Sequence, residues 1–162
     1  MKTKKLVTLS MLAAVAMVLS YVESRLPSLG IPGVKMGLAN IAVIFTLYRF
    51  SLKEAALISL VRVALVTALF AAPSALIYSL AGALCSLAVM GLLKKTGHFS
   101  AVGVSVAGGV AHNIGQILAA MAILETDALL YYLPVLMLSG LAGGVLIGLC
   151  GAILVKRVPK GD

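Results

Sequence analysis

Long apolar runs, broken only by short basic segments, constrain this chain more than any other feature. They fill nearly all of its 162 residues. A soluble domain needs a polar shell, and about a quarter of its residues are usually charged. Here 11% are charged and 62% are hydrophobic. The outer surface must therefore face lipid, and nothing is left over for a separate soluble domain. The sequence predicts one all-α membrane domain over residues 1–162, multi-pass in the cell membrane.

A helix needs about 20 apolar residues to cross the hydrocarbon core. Six runs answer to this: 6–21, 37–48, 55–70, 73–93, 102–124 and 129–155, the second of them short. Pro73 suits the first turn of a helix, where its missing N–H costs nothing. The start resembles a signal peptide, with Lys2, Lys4 and Lys5 ahead of Ala14-Val15-Ala16. The apolar run continues through Met17, Val18 and Leu19, so the expectation is an uncleaved first helix.

Charge sets the orientation. Lys2, Lys4, Lys5, Arg49, Lys53, Lys94, Lys95, Lys156, Arg157 and Lys160 fall on one side of six spans, and Arg25 and Lys35 on the other. Lys and Arg stay cytoplasmic, so both termini are expected inside. Glu23, Glu125 and Asp127 then lie outside. The net charge of +8 belongs to this pattern. It marks contact with anionic lipid and excludes nucleic acid as the partner.

Lipid tails are as apolar as leucine, so membrane helices associate through small residues that admit close backbone approach. Gly140, Gly144 and Gly148 form one such stripe, and Ala107, Ala111, Gly115 and Ala119 another. They predict two tightly packed helices, with a homodimer through one stripe as the alternative. Ser10 with Ala14, and Ala16 with Ser20, form a weaker stripe on the first span. Cys85 and Cys150 sit among small apolar neighbours with no CxxC spacing, which predicts buried packing.

Ionisable groups inside a span are costly and face a cavity or a partner. Arg62 lies near the middle of the third span, with no acidic residue expected at its depth. His112, Asn113 and Gln116 cluster on the fifth span, where His112 and Gln116 share a face. Interhelical hydrogen bonding and a ligand-facing patch both account for them. The apolar loop from Glu23 to Lys35 is read either as a lid or as a loop packed on helix ends. Lys35, Asn40, Arg62, His112, Asn113 and Gln116 together form a candidate substrate-binding set. It contains no carboxylate, which favours an anionic or polar ligand over a cation.

Asp127 and Asp162 are the only aspartates. Enzymes of prenyl or phosphoryl transfer hold magnesium between paired aspartates. No such pair, no P-loop and no Ser-His-Asp set is present, so the chain is not expected to be an enzyme. No metal and no cofactor are expected either, since a lone intramembrane His makes a poor metal site.

The stretches Val34-Lys35-Met36-Gly37-Leu38-Ala39-Asn40, Leu60-Val61-Arg62-Val63 and Ala111-His112-Asn113-Ile114-Gly115-Gln116 resemble the family called heptaprenyl diphosphate synthase component I, also the Gx transporter family. The resemblance covers nearly the whole chain. That family is similar to the substrate-binding S components of energy-coupling factor transporters. The resemblance implies a six-helix membrane subunit that captures a small molecule and works with a transmembrane coupling protein and an ATPase pair. Docking on the coupling protein would fall to small residues of the first helix, here Ser10, Ala14 and Ala16. The family label also allows a non-catalytic accessory subunit of a prenyl diphosphate synthase or quinone-pathway enzyme.

Overall fold

The computed structural model describes residues 2–25, 37–70 and 75–158. Within them the chain forms α1 (Lys2–Arg25), α2 (Asn40–Arg49), α3 (Leu52–Phe70), α4 (Ala75–Thr96), α5 (Ala101–Leu124) and α6 (Leu133–Arg157). A 3-10 segment, Asp127–Tyr132, leads into α6. No strand occurs among the described residues. Pro73, Lys35 and residues 26–34 of the loop read as a lid lie outside them, while the start of that loop, residues 23–25, belongs to α1.

Four helical stretches are long and apolar enough to cross a membrane: Thr3–Arg25, Ala75–Thr96, Ala101–Leu124 and Asp127–Arg157. Helix α3 has 19 residues, about 28 Å at 1.5 Å per residue. It is long enough, but it carries Lys53, Glu54 and Arg62. Helix α2 has 10 residues, about 15 Å, or half of the hydrocarbon thickness. The expectation of six spans thus meets six helices of which α2 is too short to cross alone.

Helix α2 lies at the centre of the molecule. Ala42, Val43, Ile44, Phe45, Thr46 and Leu47 are all buried, and it packs on α1, α3 and α6 with a smaller contact to α5. The core gathers around it, from Ala16 of α1, Ile58 of α3, Leu87 and Met90 of α4, Val104 of α5 and Ile147 of α6. Charged groups from other helices hold both of its ends. The Glu23 carboxylate accepts a hydrogen bond from the Gly37 N–H ahead of its first turn, and the Lys94 ammonium donates to the Leu47 carbonyl in its last. An acid at the start and a base at the end both match the helix dipole.

The most extensive packing joins α5 to α4 and to α6. Along α6, Gly148 faces Val102, Gly144 faces Val106, and Gly140 faces Gly109. Asn113 closes this antiparallel ladder by donating to the Leu136 carbonyl. The opposite side of α5 meets α4, where Gly108 rests on Met90 and Gly115 on Ala81 and Cys85. Each glycine sits where a β-carbon would lie within 3 Å of a neighbouring atom, so backbone proximity holds this half together.

Basic residues collect at one end. There Lys5 pairs with Glu54 and lies 6.0 Å from the Phe50 ring centroid, while Arg49 donates to the Val158 carbonyl. The Lys5 ammonium, then the Ser51 hydroxyl, hold the Glu54 carboxyl at about 2, well below the ordinary carboxylate range. At the other end Tyr21 of α1 packs on Phe70 of α3, ring centroids 5.2 Å apart. One expectation is corrected: Cys85 is exposed on the outer face of α4, and Cys150 is only partly buried. A thiol behaves as a small hydrophobe, and against lipid it gains little from being hidden.

Candidate binding site

Side chains from every helix line one cavity of about 160 Å³. Sequence spacing explains how each helix contributes. On α3, Arg62, Val63, Val66, Thr67 and Phe70 recur at helical spacing and share a face. On α5 the same holds for Gly109, His112, Asn113 and Gln116, and on α6 for Ser139, Gly140, Gly143, Gly144 and Ile147. Helix α1 adds Ser20, Glu23 and Ser24, α4 adds Ser79, and Gly37 and Asn40 mark the start of α2. The glycines of α6 therefore do two things. One edge of their stripe lets α5 approach, and the other leaves room for the cavity.

Of the six residues expected to bind substrate, five lie on this wall: Asn40, Arg62, His112, Asn113 and Gln116. The sixth, Lys35, lies outside the described residues. Asn113 also serves the helix contact. Its amide donates to the Leu136 carbonyl and reaches Ser139 Oγ at 3.4 Å, while Ser139 itself donates to Leu136 at 3.0 Å. Asn113 thus makes an interhelical bond and also lines the cavity. His112 and Gln116 are backed by Gly82 of α4, whose absent side chain makes room for them: a β-carbon there would meet Gln116 Cγ at 2.7 Å and the His112 carbonyl at 2.8 Å.

Arg62 is the cation of the wall. Its Nε is buried and makes no hydrogen bond among the described residues. The acid that acts on it electrostatically is Glu23, yet no ion pair joins the two, since Lys5–Glu54 is the one ion pair among the described residues. The expectation of a carboxylate-free set is therefore corrected. Helix α1 does not end at residue 21 with the apolar run but continues to Arg25. Glu23 thereby stays helical, three residues after Ser20 and on its face, and turns inward. Ser20 is itself buried. The i, i+3, i+4 spacing of Ser20, Glu23 and Ser24 was the available signal. A drop in hydropathy marks where lipid ends, not where a helix ends.

The small residues of α1 divide. Ser10 and Ala14 are exposed on the outer face with Val7, Met11 and Val18. Ala16 is fully buried and packs into the core, so it is not on that surface.

A family model described as heptaprenyl diphosphate synthase component I matches residues 12–154, from α1 through α6. No curated protein and no solved structure matches the chain.

Proposed function

We infer from two premises, that the chain belongs to the heptaprenyl diphosphate synthase component I family and that all six helices contribute to one cavity with polar side chains on its wall, that it is the substrate-binding membrane subunit of an energy-coupling-factor uptake transporter. The cavity carries this reading. A volume of about 150 Å³ holds a molecule the size of benzene, and this one measures about 160 Å³. A heptaprenyl chain, with about 35 carbons, would overfill a space that suits about six heavy atoms. The wall suits a small polar ligand whose anionic group meets Arg62 and whose other groups meet the amides and hydroxyls.

On this reading the chain is not an enzyme. It captures, and a transmembrane coupling protein with an ATPase pair supplies the energy. The exposed face of α1 with Ser10 and Ala14 is the docking surface we assign to that partner. The basic end is the cytoplasmic one by the usual distribution of Lys and Arg, and the end bearing Glu125 and Asp127 is outside. In a variant lacking Cys85 and Cys150, a cysteine at Thr126 is expected to react with an impermeant thiol reagent added to intact cells. One at Thr96 is expected to stay unlabelled. The reverse pattern would overturn the orientation.

The family description favours a second reading, a non-catalytic membrane partner of a prenyl diphosphate synthase. Purification from native membranes in mild detergent separates the two. A transport subunit is expected to bring a bound small molecule, a coupling protein and ATPases. Recovery with a soluble prenyl synthase, and no bound small molecule, would establish the second reading instead.

A further inference from the structure

Among the described residues, the cavity is lined by one carboxylate, Glu23, and one guanidinium, Arg62, and no ion pair joins them. Phe70 of α3 is level with Tyr21 of α1, their rings packed at 5.2 Å. Arg62 lies eight residues inward from Phe70, about 12 Å along the helix, and Glu23 lies two residues outward from Tyr21. The two side chains therefore enter the cavity from opposite levels. The described wall also carries His112 and the uncharged polar groups of Asn40, Gln116, Ser20 and Ser79.

This arrangement has an electrostatic consequence. In a site walled by apolar helices, charges interact more strongly than in water. A simple anion drawn to Arg62 is repelled by Glu23, and a simple cation drawn to Glu23 is repelled by Arg62. Among the described lining residues one carboxylate, Glu23, stands against one guanidinium, Arg62, so this pair gives no net advantage to either. A molecule bearing both charges at its two ends satisfies both groups: it gives the buried Arg62 Nε a partner, and it adds a cation to a Glu23 carboxylate that otherwise holds, among the described residues, only the Gly37 N–H. We propose that the ligand is a zwitterion, its anionic group on Arg62 and its cationic group on Glu23. This deepens the binding-subunit reading and rests on it.

The test uses three small molecules of matched skeleton on the detergent-purified full chain: 4-aminobutyrate, butyrate and butylamine. The first has about seven heavy atoms, near the capacity of such a volume. The readouts are melting temperature and native mass spectrometry of any retained ligand. The wild type is expected to be stabilised by 4-aminobutyrate and not by the other two. Glu23→Gln keeps an oxygen to accept the Gly37 N–H, so α2 stays held. Glu23→Gln is expected to raise the concentration of 4-aminobutyrate needed by about tenfold or more, the worth of one charge-assisted hydrogen bond, and to admit butyrate. Equal stabilisation by butyrate or butylamine, a retained ligand of single charge, or no response to 4-aminobutyrate overturns the zwitterion assignment. If in addition no small molecule is retained and no probe stabilises the protein, the binding-subunit reading fails with it.

Discussion

Gly144→Leu is expected to lower the melting temperature of the detergent-solubilised protein by about 6–12 °C, the shift that a loss of about 3 kcal/mol produces in a chain of this size. Gly144 lies at the middle of the ladder between α6 and α5. A β-carbon there would sit 2.6 Å from Val106 Cα and 3.0 Å from the Ser105 carbonyl. These are backbone atoms, which do not swing aside as the end of a long side chain does. The leucine is accommodated only by parting the two helices, which also breaks the Asn113 bond to Leu136 and opens one wall of the cavity. Gly103 supplies the control. A β-carbon there finds its nearest neighbour at 3.7 Å, ordinary contact, so Gly103→Ala is expected to leave the melting temperature unchanged or raise it slightly through helix propensity. A leucine variant at 144 that melts with the wild type would mean that this ladder does not hold the molecule together.

Arg62→Gln is expected to weaken ligand binding by about 1.5–3 kcal/mol, or about 10- to 150-fold in affinity. The melting temperature without ligand is expected to hold. The reason lies in how Arg62 is placed. Its Nε is buried without a partner, and Glu23 attracts it without forming an ion pair with it. A guanidinium in that state contributes little to the fold, because its desolvation is not repaid by close contacts. Glutamine removes the charge, costs less to bury, and keeps a hydrogen-bonding end in the cavity. The measurement is ligand-induced stabilisation, using whatever small molecule is retained through purification. The same stabilisation in the glutamine variant would assign Arg62 a structural role.

Much of this was legible in the sequence for simple physical reasons. Apolar runs of span length leave a helix as the only structure that satisfies its own backbone in lipid. That fixed the helical elements, and Arg62 and the His112–Gln116 face stood out because polar groups there are expensive. What could not be read depended on partners. The glycine stripe of α6 was visible, but not that it would meet Val102, Val106 and Gly109. The small-residue stripe of α5, with Gly115, turns instead toward Ala81 and Cys85 of α4. Spacing defines a face and leaves its neighbour open. Glu23 is hard to read because a charge just beyond an apolar run looks like a loop residue. Helix α2 reads as a span over 37–48, and its burial on every side is hidden because a short apolar run reads alike whether lipid or protein surrounds it.

Helix α2 bears on how such a chain is assembled. At 10 residues it is not an element that lipid alone can retain, since its first turn would meet hydrocarbon with backbone N–H groups unsatisfied. The Gly37 N–H and the Leu47 carbonyl find their partners on α1 and α4, which lie on either side of it in the sequence. Leu47 must therefore wait for Lys94, which is synthesised 47 residues later. The contacts that bury α2 on its α4 and α6 sides can thus form only after those later segments have been made. The quality of the finished bundle, rather than the hydrophobicity of each segment in turn, decides whether the second helix is kept.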